Sequence, residues 1–150
     1  MRTVLQRVAR AEVRVGGEPV GTIGRGVLLL VGVERGDGEA DADATARKVA
    51  ALRIFAGRTP MDLTLADVGG SVLVVSQFTL LGTLSKGNRP GFDRAEEPGR
   101  AEALYLRVAS ALAATGLPVR TGRFGAMMEV DLVNDGPVTF VIEARGGSVA

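Results

Sequence analysis

The sequence predicts an α+β fold in a single domain: a mostly antiparallel, barrel-like sheet with two helices packed on it. Segments with strand periodicity open and close the chain, and two segments with helical spacing lie between them, separated by one apolar strand. No β-α-β unit repeats at intervals of about thirty residues, as a doubly wound sheet would require. Glycine makes up 21 of the 150 residues, about twice its usual share of roughly 7%, which fits many tight turns between short strands.

Along the first strand the apolar positions Val4 and Val8 give way to Val13 and Val15. The alternation changes phase near Ala9 to Ala11, so a bulge or bend is expected there. Gly16-Gly17 makes a turn, Pro19 to Ile23 reads as a short strand, and Gly24-Arg25-Gly26 turns into the run Val27 to Val33, giving a β-meander. After the loop Gly36-Asp37-Gly38, Ala42, Ala46, Val49 and Leu52 recur at helical spacing, with Asp41 placed to cap the start. Arg53 to Phe55 is expected to be a short extended piece. Gly57 to Gly70 is a polar connection marked by glycine and proline, with no readable pattern.

Ser71 to Val75 is apolar on both faces, as expected of a strand buried in the middle of a fold, and it delivers Ser76-Gln77-Phe78-Thr79-Leu80 at its C-terminal end. Pro98 suits the first position of a second helix, whose stripe is Ala101, Leu104, Tyr105, Val108, Ala111 and Leu112, and Gly116 and Pro118 stop it. In the last third Met128, Val130 and Leu132 alternate with more polar neighbours. Asn134-Asp135-Gly136-Pro137 is then predicted to turn the chain into Val138, Phe140 and Ile142.

The chain is expected to fold as one domain over residues 1–150, long enough to bury a core without staples. Its apolar runs fall far short of the ~20 residues needed to cross a bilayer. Arg7 and Arg10 interrupt the start of the chain before any signal-peptide core could form, so a cytoplasmic location is expected. Histidine and cysteine are both absent. This excludes a Ser-His-Asp triad, a Cys-His pair, a thiolate zinc site and a disulfide scaffold. No cofactor or metal is expected. The net charge of only +1 argues against a polycation that coats nucleic acid, so any such contact must be local. The densest candidate is Lys86-Gly87-Asn88-Arg89-Pro90 with Arg94, and a solvated loop accounts for those charges equally well.

Taken singly, each candidate feature has a structural explanation. Ser76 and Thr79 suit satisfied hydroxyls at the end of a buried strand. Asn134 to Pro137 is ordinary turn chemistry, and Tyr105 belongs to a core stripe. Lys86 beside Ser85 could imitate a Ser-Lys dyad, but neighbours on an extended chain point to opposite faces.

The combination is more specific. Gln6-Arg7-Val8, Leu52 to Phe55, Val75 to Leu80, Lys86 to Pro90, Leu104-Tyr105, Thr121 to Gly125 and Asn134 to Thr139 occur in one order along the chain. In this the sequence resembles the D-aminoacyl-tRNA deacylases over about Met1 to Ala144, leaving the tail 145–150 outside the resemblance. The resemblance implies an editing hydrolase that cleaves mischarged D-aminoacyl-tRNA and glycyl-tRNA. Ser76, Gln77, Phe78 and Thr79 would then line the pocket for the aminoacylated 3′ end of tRNA. The motif Asn-x-Gly-Pro-x-Thr is met by Asn134, Gly136, Pro137 and Thr139. It implies a cis Gly136-Pro137 bond, inserted into the pocket of a homodimer partner as a chirality gate, with Arg7, Asn134 and Thr139 as its support. Lys86 and Arg89 are the expected tRNA contacts.

A rigid backbone wall suits the separation of D from L, because it blocks one direction at Cα whatever the side chain, and glycine has nothing to block. An aminoacyl ester with a protonated amino group is already reactive, so positioning, oxyanion donors and the substrate's own 2′-hydroxyl can suffice without histidine. Thr79 is the hydroxyl available for a covalent route, and no general base stands near it in sequence. Thr59 to Asp62, Gly91 and Met127 depart from the usual pattern and bear on the loop contacts and the side-chain pocket. Two rivals are a related domain that edits L-threonyl-tRNA and a nucleic-acid binding module without hydrolase activity. The motif at Asn134 to Thr139 weighs against the first and the small net charge against the second.

Overall fold

The computed structural model describes residues 1–150. Its strands are β1 (Arg2–Val15), β2 (Glu18–Ile23), β3 (Gly26–Gly32), β4 (Ser71–Ser76), β5 (Val119–Thr121), β6 (Glu129–Arg145) and β7 (Ser148–Val149), with helices α1 (Glu39–Ala51) and α2 (Pro98–Ala114). They form one seven-stranded sheet in the order β5-β4-β3-β1-β6-β7, with β2 paired to β1 beside this path. The sheet curls into a half-barrel. Strand β1 pairs with β3 over Arg2 to Val8 and with β2 over Ala11 to Val15, while β6 runs along its other edge.

Four strand pairs are antiparallel and two, β3 with β4 and β4 with β5, are parallel. The expected antiparallel majority holds, but two β-α-β crossovers, through α1 and α2, build the parallel end. Each carries long irregular stretches besides its helix, so neither has the compact spacing by which such a unit is recognised. Close packing at this seam requires glycine: a Cβ on Gly26 would stand 1.8 Å from the Ser71 carbonyl oxygen.

The two faces of the sheet bury separate clusters. Met1, Leu5, Leu29, Val31, Val72 and Val74 pack beneath α1 and α2. On the other face Val8, Val13, Leu28, Leu73 and Val75 form a smaller cluster. This explains the continuous apolar run of β4, whose alternate residues serve different cores. Each fully buried Val or Leu there contributes ~1.5–3 kcal/mol relative to exposure.

Pro98 occupies the first turn of α2 as predicted, and the Glu97 carboxylate caps it by accepting the N–H groups of Gly99 (3.1 Å) and Arg100 (2.7 Å). Asp41 does not cap α1 from outside. The N-cap is Gly38, and Asp41 lies in the first turn, reaching back to accept the Gly38 N–H at 2.9 Å and accepting the Gly147 N–H at 2.9 Å. Burial opposes the Asp41 charge, but these two amides and the Met1 ammonium outweigh it and hold the carboxyl below its ordinary value.

The predicted turn at Asn134 to Pro137 is a bulge instead. Strand β6 continues from Glu129 to Arg145, and between the pairs Val8 with Asn134 and Gln6 with Thr139 the stretch Asp135 to Val138 stands opposite Arg7 alone. The irregularity in β1 spans Gln6 to Arg10, overlapping the predicted phase change. Gly136 supports the bulge with a φ of +125°, open to glycine, and Pro137 has no N–H to lose from the ladder. No helix is long and apolar enough to cross a membrane.

Candidate active site

Strand β4 positions the first block. Its last residue, Ser76, is half-buried, and the Gln77 N–H still donates to the Val31 carbonyl at 2.8 Å. The chain then leaves the sheet in a 3₁₀ turn, Phe78–Leu81. At this exit lies a cleft of about 510 Å³, walled by Val33, Val75, Phe124 and Met128 among others, with Phe78 on its rim. Phe78 stays 55% exposed and meets Phe92 edge-on at 5.0 Å. Tyr105, fully buried as its core stripe predicted, stacks on Phe124 at 5.8 Å and backs one wall.

Three polar side chains line the cleft: Ser76, Gln77 and Glu96. Thr79 does not. It is exposed beyond the rim, and its hydroxyl accepts a hydrogen bond from Gln77 Nε2. Sequence reasoning missed Glu96, because an acid just before a proline-initiated helix reads as a cap. Its neighbour Glu97 takes that duty and leaves Glu96 directed into the cleft.

The second block is assembled from two strands. Arg7 of β1 donates from Nε to the Asp135 carbonyl (3.1 Å) and from Nη1 to the Ile54 carbonyl (2.6 Å), with the Asp135 carboxylate 3.4 Å from Nε. Asn134 Oδ1 accepts the Val138 N–H at 2.9 Å, and its Nδ2 donates to Thr139 Oγ1 at 3.1 Å. Gln6 Nε2 donates to the same Thr139 oxygen at 3.3 Å. These contacts bracket Gly136 and Pro137, whose peptide bond is cis and which are both exposed.

Structure therefore brings Arg7, Asn134 and Thr139 together around Gly136-Pro137, and Ser76, Gln77 and Phe78 together around the cleft. It does not bring the two groups together within one chain. Ser76 aligns through Val31 and Thr3 with Ile142 on β6, three inter-strand spacings or roughly 14 Å away. Gly136 lies further along β6, and neither it nor Pro137 lines the cleft. Lys86 and Arg89 sit on an exposed loop closed by the Thr83–Gly91 bridge, and neither has an ion-pair partner.

Comparison with known proteins bears on what these groups do. The family described as D-Tyr-tRNA(Tyr) deacylase matches residues 4–143. The D-aminoacyl-tRNA deacylase of Anaeromyxobacter dehalogenans is 58% identical over 148 residues, covering 97% of this chain and 98% of the relative. That of Symbiobacterium thermophilum is 55% identical over 146 residues, covering 97% of each. Among solved structures, the c-Myc DNA Unwinding Element Binding Protein superposes with a TM-score of 0.90 at 38% identity, covering 97% of this chain and all of that one. Matched in sequence and in fold over nearly its whole length, the chain belongs to the D-Tyr-tRNA(Tyr) deacylase family.

Proposed function

We propose that this protein is a cytoplasmic editing hydrolase that cleaves the ester of D-aminoacyl-tRNA, and of glycyl-tRNA, while excluding L-aminoacyl-tRNA. It works as a homodimer, in which the cleft of one copy receives Gly136-Pro137 of the other. The observation that carries this reading is the separation of the two blocks. A segment held from below by Arg7, Asn134 and Thr139 protrudes into solvent, away from its own cleft. Such bracing serves a wall used by another copy.

In the reaction, water adds to the ester carbonyl, the bond to the ribose oxygen breaks, and the free D-amino acid leaves with the tRNA hydroxyl restored. The chain has no histidine, and the substrate's own 2′-hydroxyl helps to orient and deprotonate the water. The protein supplies position. The first amides of the 3₁₀ turn, those of Phe78 and Thr79, lack acceptors within the turn and are the donors for the developing oxyanion. The Thr79 hydroxyl has no nucleophilic role: it lies outside the cleft and is engaged by Gln77. The carbonyls of Gly136-Pro137 accept from the substrate ammonium, and their backbone fills the space an L side chain would need. Lys86 and Arg89, free of ion pairs, contact tRNA phosphates.

The test is deacylation of matched D-tyrosyl, L-tyrosyl and glycyl tRNA by purified protein. The reading predicts release of the D and glycyl substrates and persistence of the L substrate. Equal release of D and L overturns the gate, and no release from any overturns the hydrolase in favour of a binding module.

A further inference from the structure

We infer that Glu96 sets side-chain selectivity in the cleft, disfavouring D-aminoacyl groups with a negative charge, D-aspartyl and D-glutamyl, relative to their amide counterparts. The inference rests on the deacylase reading above and narrows its substrate class.

Glu96 is the one ionisable side chain lining the cleft. Its side chain is only 11% exposed, so its charge acts largely across protein rather than across bulk water. Backbone bonds fix its distance from the reaction block. The Glu96 N–H donates to the Val33 carbonyl at 3.0 Å, as the Gln77 N–H does to Val31 at 2.8 Å. The two anchors are two residues apart on one extended strand, roughly 7 Å. A substrate whose ester lies at Ser76 to Phe78 can bring the end of its side chain to Glu96.

The carboxylate is also held in place. Glu96 Oε1 accepts the Glu97 N–H at 2.9 Å, and Oε2 stands 3.2 Å from Arg100 Nε. That occupies two of about four acceptor positions, leaving the others for a donor in the cleft. Arg100 does not cancel the charge seen inside. It is 53% exposed, so water screens it, and it also donates to the Asp37 carbonyl at 2.7 Å. A D-asparaginyl or D-glutaminyl amide can donate to the free oxygen positions. A D-aspartyl or D-glutamyl carboxylate brings a second negative charge into an apolar-walled space and has no hydrogen to donate.

The experiment compares kcat/KM for D-Asn, D-Asp, D-Gln and D-Glu charged chemically onto one tRNA, each corrected for spontaneous hydrolysis. The wild-type protein is expected to prefer each amide over its acid by about tenfold. Glu96→Gln brings both ratios close to one, and Arg100→Gln, which removes the screening cation, widens them. Ratios near one in the wild type overturn the inference. So does a ratio that Glu96→Gln leaves unchanged, including an equal loss for all four substrates, which assigns Glu96 to the part of tRNA they share. If Glu96→Gln fails to fold, Arg100→Gln decides: wider ratios support the inference and unchanged or narrower ones overturn it. An added L-Asn arm reads the gate independently, since loss of D-over-L preference contradicts the gate whatever the amide-to-acid ratio does.

Discussion

Arg7 and Asp135 are tied across the β1–β6 ladder, side chain to carbonyl, at 3.1 Å, at the single β1 residue that stands opposite the bulge. The same guanidinium reaches Ile54 at 2.6 Å, so it joins the bulge to the segment that follows α1. A planar fork with several donors suits this double duty, and a lysine ammonium cannot reproduce its geometry.

Arg7→Lys is therefore expected to weaken the gate despite keeping the charge. The rate with D-tyrosyl-tRNA should fall about tenfold, the loss of one or two charge-assisted hydrogen bonds. Circular dichroism should show the fold intact. Full activity in this variant would mean that Arg7 does not orient Gly136-Pro137.

Asn134 replaces ladder bonds that the bulge gives up, accepting from Val138 and donating to Thr139. Asn134→Ala leaves the Val138 N–H without its acceptor, a cost of ~1–3 kcal/mol where the group is shielded from water. In a domain of this size that corresponds to a fall in Tm of about 2–6 °C. Calorimetry measures it, and an unchanged Tm would show that water replaces the lost acceptor.

Thr79→Ala should keep turnover within about threefold of wild type, because the change preserves the backbone amide and removes a hydroxyl that lies outside the cleft. Single-turnover kinetics decide the point. A loss beyond a hundredfold, with folding and substrate binding intact, would restore the threonine nucleophile.

Acid sensitivity follows from Asp41. Its folded carboxyl lies below the ordinary 3.8 because the Gly147 and Gly38 amides and the Met1 ammonium outweigh burial. As pH falls, the unfolded chain takes up this proton first. The stabilisation is therefore complete above about pH 5 and is lost progressively as pH drops through 4 toward the folded value. Urea midpoints measured between pH 6 and 3 should decline, less steeply in Asp41→Asn. A parallel decline in both proteins would assign the effect to other depressed carboxyls such as Glu34 and Asp43.

Thr3 is fully buried and its hydroxyl has no hydrogen-bond partner. Thr3→Val removes an unsatisfied polar group at nearly constant shape, so stability should rise by ~1 kcal/mol. A decrease in the chemical denaturation midpoint would indicate that Thr3 has a partner such as an internal water.

Much of this was legible because it depends on local chemistry. Both apolar faces of β4, the Pro98 start of α2 and the bend in β1 are written in residue spacing and in proline and glycine. Strand pairing was less legible: periodicity says which face a residue takes, but not which strand lies beside it, so the parallel β3-β4-β5 seam was hidden. Asn134 to Pro137 has the chemistry of a turn, and only the ladder to β1 on both sides makes it a bulge. Of the cleft's polar side chains, Ser76 and Gln77 came from the resemblance, whereas Glu96 required knowing which of two adjacent acids caps the helix.

The central claim is that each cleft is completed by the other copy, and mixing two crippled variants tests it most directly. One variant is Gly136→Ala, whose new Cβ would meet Val138 Cγ2 at 2.8 Å with φ at +125°. The other is the cleft double substitution Gln77→Ala with Phe78→Ala. Each alone should deacylate D-tyrosyl-tRNA poorly. After dissociation and random reassociation, half of the dimers carry one intact cleft facing one intact gate, so activity should recover to about a quarter of wild type. No recovery beyond the sum of the separate variants, with mixed dimers verified by mass, would contradict a gate that acts in trans.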